Sequence, residues 1–169
     1  FQQCGWYDAY PGATMRTFQA LSGRVPQRVL MGPWSHEEEF TRVIGGHDFG
    51  PAASRVIRDD DLRWYDQWLK GLDTGVLDEP PISLYVMGAN RWRLESEWPL
   101  PGTEPTPLYL RSGGRANSLA GDGRLSWEPA GPDEPVDRFD YDPANPVPTL
   151  GGNNSILTMM QNAVEPIGP

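Results

Sequence analysis

The stretch from Asp8 to His36 constrains the fold more than any other part of this sequence. It reads as loop, helix, loop and strand in turn. Phe1 to Cys4 has the composition of a strand end, and Gly5-Trp6-Tyr7-Asp8 that of the loop leaving it. Gly12 to Leu21 places Met15, Phe18 and Leu21 at a spacing of three, with Ser22-Gly23 as a stop, which predicts a helix. Arg28 to Met31 is a short strand whose Val29, Leu30 and Met31 run without alternation, the pattern of burial on both faces, and Gly32-Pro33 ends it. A strand, a crossover helix and a second strand make the two strands parallel. The loops that follow them then share one edge of the sheet, with strand axes about 4.8 Å apart. Asp8 lies in the first loop and His36 in the second. A carboxylate and an imidazole brought together at the edge where open α/β sheets bind ligands form the orienting half of an Asp–His pair. The partner such a pair serves is a nucleophile.

Hydrolases of the α/β type carry their nucleophilic serine on a G-x-S-x-G turn, with the acid and then the histidine later in the chain. No G-x-S-x-G occurs in the 169 residues. The serine is therefore expected upstream of Phe1, and the chain, which opens on Phe1 and closes on Glu165 to Pro169, reads as a piece of a longer one. A piece of this kind is expected to be inactive alone and prone to aggregate through uncovered strand edges and apolar faces.

Composition divides the chain. Gly and Pro together make up about 22% of it, against roughly 12% in an average protein. Four of the 18 prolines precede residue 76 and the remaining 14 follow; net charge divides the same way, −2 against −7. A boundary is expected from Asp73-Thr74-Gly75 to Pro80-Pro81, giving a first domain over residues 1–75 and a second over 80–169. Before it, Ile57, Trp64, Tyr65, Trp68, Leu69 and Leu72 share one helical face and read as core, with Asp59 to Asp61 favouring the helix start and Gly71 capping its end. Beyond it the chain reads as short strands between turns. Ile82 to Met87 alternates, Pro107 to Leu110 is a second run, and Arg124 to Trp127 and Arg138 to Tyr141 are weaker ones; Ile156 to Met160 fits a strand or a docked tail.

The net charge of −9 repels phosphate backbones and anionic lipid, so nucleic acid and membrane are not expected partners. No apolar run approaches the length of a membrane span. Cys4 is the single cysteine and demands no oxidising compartment; a cytoplasmic setting is the default, with secretion open. Its place in an apolar strand end makes it a small buried hydrophobe. His47-Asp48, taken with His36 and Glu37 to Glu39, lacks metal-ligand spacing, and no metal or cofactor is expected. Trp92, Trp98 and Trp127 read as core or interface residues in preference to a sugar-binding platform.

Gly5-Trp6-Tyr7-Asp8, Gly32-Pro33-Trp34-Ser35-His36, Val86-Met87-Gly88 with Trp92-Arg93, Trp98 to Pro101, and Tyr141 to Gly152 occur in one consistent order. In them the chain resembles the second half of the cocaine esterase and X-Pro dipeptidyl-peptidase-like serine hydrolases, a group that includes α-amino acid ester hydrolases and glutaryl-7-aminocephalosporanic acid acylases. The resemblance implies an α/β plus β architecture: the C-terminal portion of an α/β-hydrolase domain followed by the beginning of a β jelly-roll domain. It implies Asp8 and His36 as two members of a Ser-His-Asp triad acting on a small-molecule ester or amide. It also places Tyr10 at the acyl pocket. Trp34, beside the histidine loop, either walls that pocket or packs beneath it. Oligomeric state stays open. The reading from another class is a non-catalytic β-sandwich binding module in which Asp8 and His36 are structural.

Overall fold

The sheet that carries the first half of the chain begins with the expected crossover. The computed structural model describes residues 1–36, 41–54, 58–118 and 120–146. Strand β1 (Gln2–Gly5), helix α1 (Pro11–Leu21) and strand β2 (Val29–Gly32) follow one another, and β1 and β2 pair in parallel with Gln2 opposite Val29 and Gly5 opposite Gly32. Pro11 starts α1, where a missing N–H costs nothing. Met15 and Phe18 bury against Cys4, Val29, Met31, Ile82 and Leu84 to form the main core. Leu21, expected on that face, is exposed. Steps of three fall short of 3.6 residues per turn, so each step turns a side chain further from the sheet.

Beyond β2 the chain makes a two-residue hairpin, β3 (Val43–Ile44) and β4 (His47–Asp48), then a short 3-10 turn over Pro51–Ala53 and helix α2 (Arg58–Leu69). It returns as β5 (Ile82–Val86), parallel to β2, and β6 (Arg91–Glu95), antiparallel to β5. The sheet order is β1-β2-β5-β6. The alternation in Ile82 to Met87 predicts one covered face, but Ile82, Ser83, Leu84 and Tyr85 are all buried, because both faces of β5 are covered: Ile82 and Leu84 pack into the main core and Tyr85 into a second cluster with Ile44, Phe49 and Ala53.

The boundary expected at residues 75–80 does not coincide with a break in this sheet. Val29 N–H donates to Pro81 O at 2.8 Å, so the paired prolines lead into β5 by offering a carbonyl that needs no N–H of their own. A second compact unit begins instead at Gly102. In it β7 (Tyr109–Arg111) pairs antiparallel with β8 (Arg124–Ser126), Leu110 opposite Leu125. Residues 138–141, expected as a weak strand, form none. Glu134 and Asp137 accept the main-chain N–H groups of Ser112 (2.7 Å) and Ala116 (2.6 Å), which ties the turn after β7 to the segment 134–137.

Helix α2 also departs from expectation. Ile57 lies outside the described residues. Trp64 is buried, but Tyr65, Trp68, Leu69 and Leu72 are exposed. The covered face is set by charge as much as by apolar side chains. Buried Asp60 pairs with buried Arg28 at 3.4 Å, Arg28 reaches Glu79 at 2.7 Å, and Arg63 holds the other Glu79 oxygen at 2.5 Å. Gly71, at φ +68°, ends the helix with Leu72 N–H on Asp66 O at 3.2 Å, the cap expected there. Partial burial alone would raise the Glu79 carboxyl, but hydrogen bonds and charge from Arg63 and Arg28 outweigh it and hold the group below its ordinary value near 4.5.

The end of β1 and the end of β2 meet without side chains between them. A Cβ on Gly5 would fall 1.9 Å from Trp34 O, and one on Gly32 would fall 2.3 Å from the Trp34 indole. Glycine at both positions lets the main chain of Trp34 lie against β1 while its ring folds back over β2. Trp6 N–H then donates to Gly32 O (2.8 Å) and Tyr7 N–H to Trp34 O (2.9 Å), carrying the pairing past both strands.

Three outcomes follow for stability. Gly5→Ala drives a carbon into main chain that cannot yield and costs roughly 3 kcal/mol by urea melting. Gly131→Ala, where nothing lies within 4 Å of the added carbon, changes stability by less than about 0.5 kcal/mol. Glu79→Gln lowers the urea midpoint at pH 7. The ionised, depressed carboxylate stabilises the fold above 4.5 and loses that effect as pH falls through its folded value, so the gap from the parent closes in melts taken toward pH 3.

Candidate functional site

Asp8 and His36 meet beyond the C-terminal ends of β1 and β2, where parallel pairing brings the two loops to one edge. His36 Nδ1 lies 2.9 Å from Asp8 Oδ2. The Asp8 side chain is 4% exposed and that of His36 36%. A buried carboxylate requires hydrogen bonds on its oxygens. Oδ1 accepts Tyr10 N–H at 3.2 Å, an Asx turn, and Oδ2 faces the imidazole. The ionised carboxylate only accepts, so it selects the imidazole tautomer with the proton on Nδ1 and gives proton transfer to Nε2. The turn chemistry visible in Asp8 and its pairing with His36 coexist in one side chain.

Tyr10, half exposed, sets its ring edge-on to that of His36 with centroids 5.8 Å apart. It therefore flanks the imidazole while keeping half of its surface open to solvent. Trp34 does not. Its side chain has no exposed surface, so a pocket wall is corrected to packing beneath the loop, where it joins Leu30, Phe1 and Trp92. A ring that reaches no solvent touches no bound molecule. Cys4 is buried in the main core, and burial, reinforced by the nearby Asp8 charge, pushes its thiol above its ordinary value, as suits an inert packing residue.

Hydrogen bonds from aromatic side chains to main-chain carbonyls, which spacing in the sequence does not reveal, hold this edge together. Trp34 Nε1–H donates to Ala53 O (3.0 Å), Trp92 Nε1–H to Ala52 O (2.7 Å) and Tyr85 O–H to Phe49 O (2.7 Å). Trp6 Nε1–H caps Tyr85 O at 2.8 Å. Tyr85 and Trp92 are cross-strand partners on β5 and β6, their rings 5.3 Å apart. Three aromatic donors thus converge on the carbonyls of residues 49–53, the segment returning from the His36 loop. The aromatic content was visible in the sequence; the carbonyls that it satisfies were not, because they depend on pairing between distant strands.

Among the described residues no three His, Cys, Asp or Glu side chains converge as metal ligands. His47 sits on the exposed hairpin, its ring 4.5 Å from that of Phe49, and Glu37 to Glu39 lie outside the described residues. Trp92 and Trp98 pack on core clusters of the first unit, and Trp127 is exposed in the second. No helix among the described residues is long and apolar enough to cross a membrane.

Comparison with known proteins places the chain in a family. Residues 74–161 match the X-Pro dipeptidyl-peptidase C-terminal non-catalytic domain. The chain is 40% identical over 151 residues to the cocaine esterase of Rhodococcus sp. (strain MB1 Bresler), covering 88% of this chain and 26% of that protein. Among solved structures it is similar to an α-amino acid ester hydrolase labelled with selenomethionine, with a TM-score of 0.59 and 27% identity over 85% of this chain and 24% of that one. The chain thus spans about a quarter of the length of these relatives. It belongs to the cocaine esterase and X-Pro dipeptidyl-peptidase-like hydrolase family, whose β-rich C-terminal domain it carries.

Proposed function

We propose that this chain is the Asp- and His-bearing part of a serine hydrolase that cleaves ester or amide bonds in small molecules. In this reading residues 1–101 close an α/β-hydrolase domain, and the unit from Gly102 onward begins a β jelly roll. The observation that carries the reading is the 2.9 Å contact between a buried carboxylate and a part-exposed imidazole at the ligand-binding edge of parallel strands. Residue 36 follows residue 8, the order of acid and base in α/β hydrolases. The nucleophilic serine belongs to sequence that precedes Phe1 in the longer protein.

The chemistry is acyl transfer to water. His36 Nε2 takes the proton of the serine hydroxyl as its oxygen attacks the substrate carbonyl. Asp8 holds Nδ1–H and stabilises the imidazolium as it forms, without itself taking the proton. Collapse of the tetrahedral intermediate expels the alcohol or amine, which leaves with the proton from His36. Water then attacks the acyl-enzyme, giving a proton to His36, and collapse of the second tetrahedral intermediate releases the acid while His36 returns that proton to the serine oxygen. Tyr10, edge-on to the imidazole and half exposed, contacts the acyl group.

The test uses the full-length protein and a fluorophosphonate probe that labels activated serines. The parent labels, at a serine outside these 169 residues. His36→Ala abolishes labelling while the melting temperature holds, and Asp8→Asn lowers turnover by about 10⁴ if the serine-protease precedent transfers. Unchanged labelling in His36→Ala would remove His36 from the mechanism, and a full-length parent that does not label would favour a non-catalytic binding module in which Asp8 and His36 are structural.

A further inference from the structure

We infer that Trp92 is a positioning residue for the Asp8–His36 pair, acting through Trp34 and the turn at Pro51–Ala53. The inference rests on the hydrolase reading above and extends it into the segment matched by the non-catalytic domain, where Trp92 lies.

Two indoles stand side by side, Trp34 and Trp92, with ring centroids 5.7 Å apart. They donate to successive carbonyls of one 3-10 turn, Trp34 to Ala53 O and Trp92 to Ala52 O. Each indole carries a single N–H donor of fixed direction, so a bond to one carbonyl sets the orientation of the whole ring. The two bonds together therefore fix the turn against β6 and the Trp34 ring against the turn. Trp34 passes this constraint to both halves of the site. Its main-chain oxygen accepts Tyr7 N–H, one residue before Asp8, and its own position sets the chain two residues before His36. Tyr85, its partner across the strands, holds Phe49 O from the same side and packs edge-on to its ring, which keeps Trp92 from swinging away.

The substitution that isolates this role is Trp92→Phe in the full-length protein. Phenylalanine keeps a ring beside Trp34 and removes only the donor to Ala52 O. The readouts are ester-hydrolysis kinetics, the low-field proton resonance of His36 Nδ1–H and the urea midpoint. If Trp92 positions the pair, kcat falls roughly 10- to 100-fold, as expected for displacement of a catalytic pair by up to an ångström. KM moves less than about twofold and the Nδ1–H resonance broadens or shifts. Arg93→Ala, which removes an exposed side chain of the same strand, leaves kcat and the resonance at parent values. Unchanged kcat and resonance in a folded Trp92→Phe overturn the inference while the hydrolase reading stands. A fall in urea midpoint with kcat and resonance intact overturns it too, since it marks a purely structural residue. Should Trp92→Phe not fold, Trp92→Tyr is measured the same way with the same criteria. Failure of the hydrolase reading shows separately, in a parent protein without activity or low-field resonance.

Discussion

Two glycines opposite one another, Gly5 on β1 and Gly32 on β2, make the candidate site possible. Parallel strands bring their following loops to the same edge, but the strands alone leave those loops free to diverge. Here the absence of two side chains lets the Trp34 main chain press against β1 at a distance no Cβ would allow. Hydrogen bonds from Trp6 and Tyr7 then continue the pairing for two more residues. Asp8 and His36 are the next groups along. Their contact is the last rung of a ladder that begins in the core, and its geometry is inherited from main chain. This also explains how a carboxylate can be 96% removed from solvent at a sheet edge: Tyr10 N–H and the imidazole replace the water that burial takes away.

The other end of β2 is fixed by different means. Arg28, just before the strand, is buried and answers Asp60 of α2 and Glu79 of the segment leading to β5. Removing one partner from such a group leaves a charge in low dielectric, which costs more than the pairing itself contributes. The crossover connections of β1, β2 and β5 are thereby tied together where the strands enter the sheet, and the aromatic donors tie them together where the strands leave it. The site lies between an electrostatic fixing below and a hydrogen-bonded aromatic one above.

What the sequence made legible was local. The switch from helical spacing in Met15 and Phe18 to a continuous Val29-Leu30-Met31 run was enough to read the crossover, and the crossover was enough to bring Asp8 to His36. Burial was less legible. The α2 stripe gave a correct helix, yet spacing cannot say which face a neighbour covers, and the buried salt bridge of Asp60 turned Trp64 inward and left Tyr65 and Leu69 outside. Trp34 shows the same limit. An aromatic ring two residues from a candidate catalytic histidine looks like a pocket wall until Gly32 is seen to make room for it under the loop. The meaning of that glycine lies in strand register, which periodicity does not encode.

The boundary near residue 75 carries a wider lesson about segments. Proline density and charge both change there, and the matched family domain begins at residue 74. The sheet nevertheless runs on through β5 and β6, because a strand that starts just after Pro80-Pro81 loses no hydrogen bond by having prolines in front of it, and Pro81 O even serves β2. Composition marks where chain chemistry changes; hydrogen bonding marks where a physical unit ends. A sequence domain described as non-catalytic can therefore supply two of the four strands of the sheet at whose edge Asp8 and His36 meet, together with the Tyr85 and Trp92 donors that hold that edge in place.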